Sequence, residues 1–245
     1  MRNLKLTIEF DGSRYKGWQN QKDKEQTVQG KIETVLSKMT GEEIEVIGCE
    51  RIDTGAHADG YIANFKTNCE LSCTAISIYL YEFLPEDILV KFIEEVDERF
   101  HARYNAKAKV YEYVINNNNL RNVFNRKYSY HIDIDLNIEE MLKAAEAFKG
   151  KHDFKAFTNL KSSAKSTVRT VEDILIKKDN GLIKIELIAD DFLLNMERII
   201  VGTLIEVGKG NVKATNVFKM LKDGKKIETI PMAQAKALFL KKVIY

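Results

Sequence analysis

The chain has 245 residues, 44% hydrophobic and 30% charged, the composition of an ordinary globular protein of one large or two small domains. Its net charge of +2 hides an asymmetry: residues 1–104 carry 13 basic and 19 acidic side chains and residues 105–245 carry 25 and 17, so the second part can face a polyanion, the alternative being a solvated lysine-rich surface. No apolar run approaches the ~20 residues of a membrane span, the N-terminus lacks a signal-peptide core, and three cysteines, Cys49, Cys69 and Cys73, are a poor disulfide framework; a cytoplasmic protein is expected.

In "LKLTIEF", Leu4, Leu6, Ile8 and Phe10 point one way and Lys5, Thr7 and Glu9 the other, which predicts a half-buried strand. "TVQGKIETVLSKM" places Val28, Ile32, Val35, Leu36 and Met39 at helical spacing. "EIEVIGCE" and "GYIANFKT" read as strands on either side of a turn at Asp53. "TAISIYLYEFLP" reads as a helix that stops before Pro85, and "DILVKFIEEV" as a strand. The first part therefore runs β-α-β-β-α-β.

"AKVYEYVI" opens the second part as a strand. "INNNNLRN" is a short polar loop. "NIEEMLKAAEAFKG" predicts a helix capped by Asn137 and ended by Gly150. "VEDILIKK" and "LIKIELIAD" form a hairpin around Asp179-Asn180-Gly181. A long apolar helix is predicted over Asp191–Val207, and "ALFLKKVIY" is a closing strand. The expected fold is α+β: two similar β-α-β-β-like halves, residues 1–104 and 105–245, forming a mainly antiparallel sheet with helices on one side and a basic central cleft.

Three places carry chemistry. The first is "CERIDTGAHADGYIANF", which sets Arg51, Asp53 and His57 in one turn. DTG is also the signature of an aspartic protease, but that chemistry needs two aspartates sharing a proton, and no second DTG or DSG is present. The second is Arg198, with Leu194, Val201, Gly202 and Ile205 on its helical face. A guanidinium there needs an anion, either a structural partner or a catalytic carboxylate, for which Asp53 is the candidate. The third is "FHARYNAKAKVYEYVI". If extended, it puts Lys107, Lys109, Tyr111 and Tyr113 on one face, with Arg103 on the same approach. Such a face suits RNA, lysines meeting phosphates and a ring stacking on a base, unless the tyrosines pack inward while the lysines snorkel. Asp53, His57 and Asp59 lack the spacing of a metal set, and no phosphate-cradling or dinucleotide-binding glycine motif is present.

Several segments resemble one family in order. "FDGSRYKGWQNQ" resembles the N-terminal signature of the TruA-type tRNA pseudouridine synthases, and "ERIDTGAHADGYIANF" their catalytic segment, usually written GRTDAGVHA. "LPEDI", "FHARYNAKAKVYEYVI", "HDFKAFTN", "STVRTVEDI" and "FLLNMERIIVGTLIEVG" are similar to the later blocks. The resemblance implies that Asp53 is the catalytic aspartate and Arg198 its partner, that Tyr111 packs on the target base, and that Arg51 helps hold the nucleotide out of its stack. His57 and Arg103 join Tyr111 and Arg51 as substrate-binding candidates. It implies a cytoplasmic homodimer acting on uridines of the tRNA anticodon stem-loop, with no metal or organic cofactor. The same chemistry on ribosomal RNA and a non-catalytic tRNA-binding relative are the alternatives. The chain departs from the family pattern at Glu50, Ile52, Thr54, Ala56, Glu197 and Ala237.

Overall fold

The computed structural model describes residues 1–19, 26–160 and 166–245. Asn20 and Gln21, the end of the "FDGSRYKGWQNQ" segment, lie outside the described residues. In chain order the elements are β1 (Arg2–Phe10), α1 (Val28–Thr40), β2 (Val46–Gly48), β3 (His57–Thr67), α2 (Cys73–Phe83) and β4 (Ile88–Val96). There follow β5 (Ala108–Asn116), β6 (Tyr130–His131), α3 (Ile138–Glu146), β7 (Gly150–Asp153), β8 (Val168–Asp179), β9 (Leu182–Ala189), α4 (Met196–Gly208), α5 (Ala214–Asp223) and β10 (Leu238–Ile244). They fall into two compact units, Met1–Lys107 with Phe239–Tyr245, and Ala108–Leu238. Both units mix helices with a mostly antiparallel sheet, so the fold is α+β. Among the described residues no helix is long and apolar enough to cross a membrane.

In the first unit β1 lies between β4 and β3, antiparallel to both. The alternation of β1 does its work: Leu4, Leu6, Ile8 and Phe10 are buried while Glu9 is exposed, each buried side chain contributing about 1.5–3 kcal/mol. The other edge of β3 is shared. β2 pairs with its second half, Val46 facing Phe65, and β10 runs parallel to its first residues, Phe239 facing His57. The end of the chain thus braces the strand that begins at the Asp53 turn. α1 is capped by Thr27, whose side chain accepts from Gly30 N, and ends at Gly41 in the left-handed conformation. α2 is capped by Ser72 and stops at Leu84, just before Pro85.

In the second unit β9 pairs antiparallel with β5 and β8, and β7 with β8. The β8–β9 turn has positive φ at both Asn180 (48°) and Gly181 (75°), as a two-residue type I′ hairpin requires. Asn137 caps α3 by accepting from Glu140 N.

Four expectations change. α4 begins at Met196 rather than Asp191, because Asn195 is left-handed (φ 63°) and the Leu194 carbonyl is taken by Asn159 N and Thr158 Oγ1. Leu194 is therefore outside the helix, and exposed. Gly150 does not end α3; Ala147, Phe148 and Lys149 close it with bonds three residues back, and Gly150 opens β7. α5 was not anticipated, since only Val217 and Met220 of its ten residues are buried. Finally, the face of β5 carrying Lys109, Tyr111 and Tyr113 is not open: the three are 3%, 2% and 0% exposed. The Tyr113 hydroxyl donates to the Gln234 carbonyl at 2.9 Å, and burial pushes its pKa far up. Lys109 is not free to meet phosphate but is paired with Asp191.

Candidate active site

Asp53 begins a β-turn. Ala56 N donates to the Asp53 carbonyl at 3.1 Å, and Gly55, third in the turn, has φ 79°, a conformation that selects glycine. Thr54 at the tip is exposed, while Asp53 is half-buried.

The turn is gripped by the segment Asp11–Trp18. A Cβ on Gly12 would strike the Ala56 carbonyl oxygen, and one on Gly17 the Ile52 carbonyl oxygen. Gly17 also has φ 88°, so both space and conformation demand glycine there. Trp18 N donates to the Ile52 carbonyl at 3.1 Å, and Ile52 is itself buried. The gripping segment is in turn tied down. Arg14 and the Tyr15 hydroxyl both bond the Asp87 carboxylate, and burial followed by that bond pushes the Tyr15 hydroxyl's pKa up. The "FDGSRYKGW" and "LPEDI" segments, 72 residues apart at this bond, therefore meet.

Behind the turn lies an aromatic cluster. Trp18 stacks on Tyr61 with centroids 3.9 Å apart, and Phe10 packs edge-on to Tyr61 at 5.8 Å. The buried Tyr61 hydroxyl donates to the Glu50 carbonyl. A Cβ on Gly48 would collide with that hydroxyl and with Trp18. Glu50, a departure from the family pattern, turns its carboxylate onto Arg51 N at 2.8 Å.

His57 is 1% exposed and stacks on Phe239 at 4.7 Å. Its Nδ1 is 3.1 Å from both Gly12 N and Asp11 Oδ1; one ring nitrogen can accept from the first or donate to the second, and either fastens the gripping segment to β3. This position makes His57 a structural clasp beside the turn. Arg51 and Arg103 are exposed and line one groove.

Tyr111 and Arg198 belong to the second unit. The Tyr111 ring meets Phe192 edge-on at 5.1 Å. Arg198 is half-buried; its Nε donates to the Ala233 carbonyl at 2.7 Å while Ala233 N donates to the Arg198 carbonyl, which fixes the stem of the side chain. Next to Phe192, Asp191 carries Lys109 at 2.5 Å and Arg169 at 3.5 Å. Burial alone would raise the Asp191 pKa, but Lys109 and Arg169 outweigh it and hold it below the usual carboxylate range.

A sequence model described as tRNA pseudouridine synthase matches residues 6–105 and 144–245. The chain belongs to the tRNA pseudouridine synthase family. It is 55% identical over its full length, and the relative's, to tRNA pseudouridine synthase A 1 of Clostridium tetani. It is 45% identical to tRNA pseudouridine synthase A 2 of Bacillus cereus strain ZK, covering 99% of both chains, and 44% identical to tRNA pseudouridine synthase A of Acetivibrio thermocellus over 100% of both. Within this pseudouridine synthase, Arg51, Asp53 and His57 surround one turn. Gly12, Gly17, Trp18 and Tyr61 were missed as site residues by sequence reasoning. The signal available for them was the pair of glycines around "SRYK", which needs a reason when no phosphate motif supplies one.

Proposed function

We propose that this chain isomerises uridine to pseudouridine in tRNA, in the anticodon stem-loop, with Asp53 as the catalytic carboxylate. The observation that carries this reading is the full-length match to tRNA pseudouridine synthases, joined to an Asp53 turn held rigid from outside by Gly12, Gly17 and Trp18. Catalytic groups need such fixed placement.

The reaction breaks the C1′–N1 bond of uridine, turns the base, and joins C5 to C1′. The proton lost from C5 is balanced by the one gained at N1, so the isomerisation is redox-neutral and needs no co-reactant. An ionised carboxylate serves as the nucleophile or counter-charge that glycosidic cleavage requires. In this reading Arg198 pairs with Asp53 and keeps it ionised, and Tyr111, buried in this fold, must be uncovered for the target base to pack on it once that base has left its stack. Arg51, Arg103 and the His57-clasped loop hold the RNA. The protein works in the cytoplasm as a homodimer.

Incubation of the protein with an unmodified tRNA transcript, followed by pseudouridine mapping, tests the proposal. Product at anticodon stem-loop uridines is expected; absence of product from any tRNA would overturn it. Product found only in ribosomal RNA, on comparing cellular RNA with and without the gene, would move the substrate.

A further inference from the structure

Two residues before Asp53, Arg51 forms one wall of a groove of about 330 Å³ in the first unit, a volume at the small end of the ~300–1,000 Å³ range of ligand pockets. His101, Arg103 and Tyr104 line it as well. Trp18, which braces the Asp53 turn, also lines it, so the groove and the turn share parts.

The His101–Asn105 turn is closed on itself. His101 N donates to Asn105 Oδ1 at 2.7 Å and Asn105 N returns a bond to the His101 carbonyl at 3.1 Å. His101 Nδ1 accepts from Arg103 N and Tyr104 N at 3.2 and 3.3 Å. The imidazole then supports the Tyr104 ring, centroids 4.1 Å apart. Despite this support Tyr104 is 79% exposed. A single exposed aromatic is unremarkable by itself. Here, however, the ring is held in place by its own turn, so stacking on it costs little side-chain entropy.

Arg51 and Arg103 share the groove with that ring. Glu45 and Glu50 line it too, yet neither guanidinium makes an ion pair or side-chain hydrogen bond among the described residues. Two forked cations with no side-chain partner among the described residues, beside a supported ring, match a phosphate next to a base.

We propose that this groove receives one unpaired nucleotide of the substrate RNA, its base stacked on Tyr104 and its phosphate met by Arg103 and Arg51. The proposal rests on the RNA-modifying function above and adds a site to it. Because Arg51 lines the groove only two residues before Asp53, the bound nucleotide is a near chain neighbour of the target uridine. It contributes to choosing which uridine is presented.

Wild type, Tyr104→Phe, Tyr104→Ala and Arg103→Ala would be titrated with an unmodified tRNA transcript at several salt concentrations, each variant's melting checked and pseudouridine measured in the same samples. A parallel set of transcripts would carry 2-aminopurine at successive loop positions. Tyr104→Phe is expected to bind as wild type and Tyr104→Ala about five- to hundredfold more weakly. Arg103→Ala is expected to lower the salt slope of binding by about 1. One 2-aminopurine position should be quenched by wild type and Tyr104→Phe but not by Tyr104→Ala. Product formation with Tyr104→Ala binding within twofold of wild type and an unchanged quench would overturn the groove while leaving the function standing. A Tyr104→Phe loss as large as that of alanine would also overturn it, since the hydroxyl and not the ring would then be responsible. A Tyr104 effect on binding without product from wild type would support the groove and overturn the function.

Discussion

The Trp18 amide donates to the Ile52 carbonyl at 3.1 Å, joining the N-terminal loop to the residue just before Asp53. Gly17 lies against the same oxygen, with φ 88° and no room for a Cβ. Gly17→Ala should push the Asp53 turn away and lower kcat/KM by about a hundredfold, the loss expected of a displacement near 1 Å. Gly41→Ala is the matching control. It too has positive φ (71°) but nothing within reach of a Cβ, so it should cost about 1–2 kcal/mol of stability and leave kcat/KM unchanged. Steady-state kinetics with thermal melts on both variants checks this.

Tyr61 supports the turn from behind through its hydroxyl on the Glu50 carbonyl. Tyr61→Phe keeps the stack on Trp18 but leaves that carbonyl without this donor, a loss of about 1–3 kcal/mol for a buried group. Denaturant unfolding should show the loss with an unaltered m-value. Tyr61→Leu, which also removes the stacked ring, should lose more.

Lys109 is 3% exposed and relies on Asp191. Because the Asp191 pKa is lowered in the folded protein, its contribution to stability is full above the unfolded value of about 3.9 and is lost as pH falls through the folded value. Asp191→Asn should therefore lower the melting temperature at pH 7 and flatten its decline below about pH 4. A fully buried pair would lose roughly 3–5 kcal/mol. Asp191 is 42% exposed, so solvent screening reduces the expected loss to about 1–2 kcal/mol. Melts from pH 2 to 8 on both proteins decide it.

Where structure follows local pattern, it was legible in the sequence. The alternation of β1, the apolar face of α1, the Pro85 stop and the Asn180-Gly181 turn all have local causes, and all were read correctly. The start of α4 was not, because Asn159 and Thr158 reach from far along the chain to occupy the Leu194 carbonyl. Nor was the burial of Lys109, whose partner is 82 residues away. The Asp53 turn could be picked out by its residue types. What holds it, the close backbone approach of Gly12 and Gly17, depends on contacts about 35–45 residues distant that no periodicity encodes. The Ile52 and Glu50 departures find their reasons in three dimensions, one buried with its carbonyl held by Trp18 N, the other bonded to Arg51 N.

The central claim is that Asp53 carries the isomerisation, and the most direct measurement is single-turnover pseudouridine formation by Asp53→Asn on an unmodified tRNA transcript, with binding measured alongside. The account predicts no detectable product while tRNA affinity stays within a few-fold of wild type. Product formed by Asp53→Asn at a rate near wild type would contradict it.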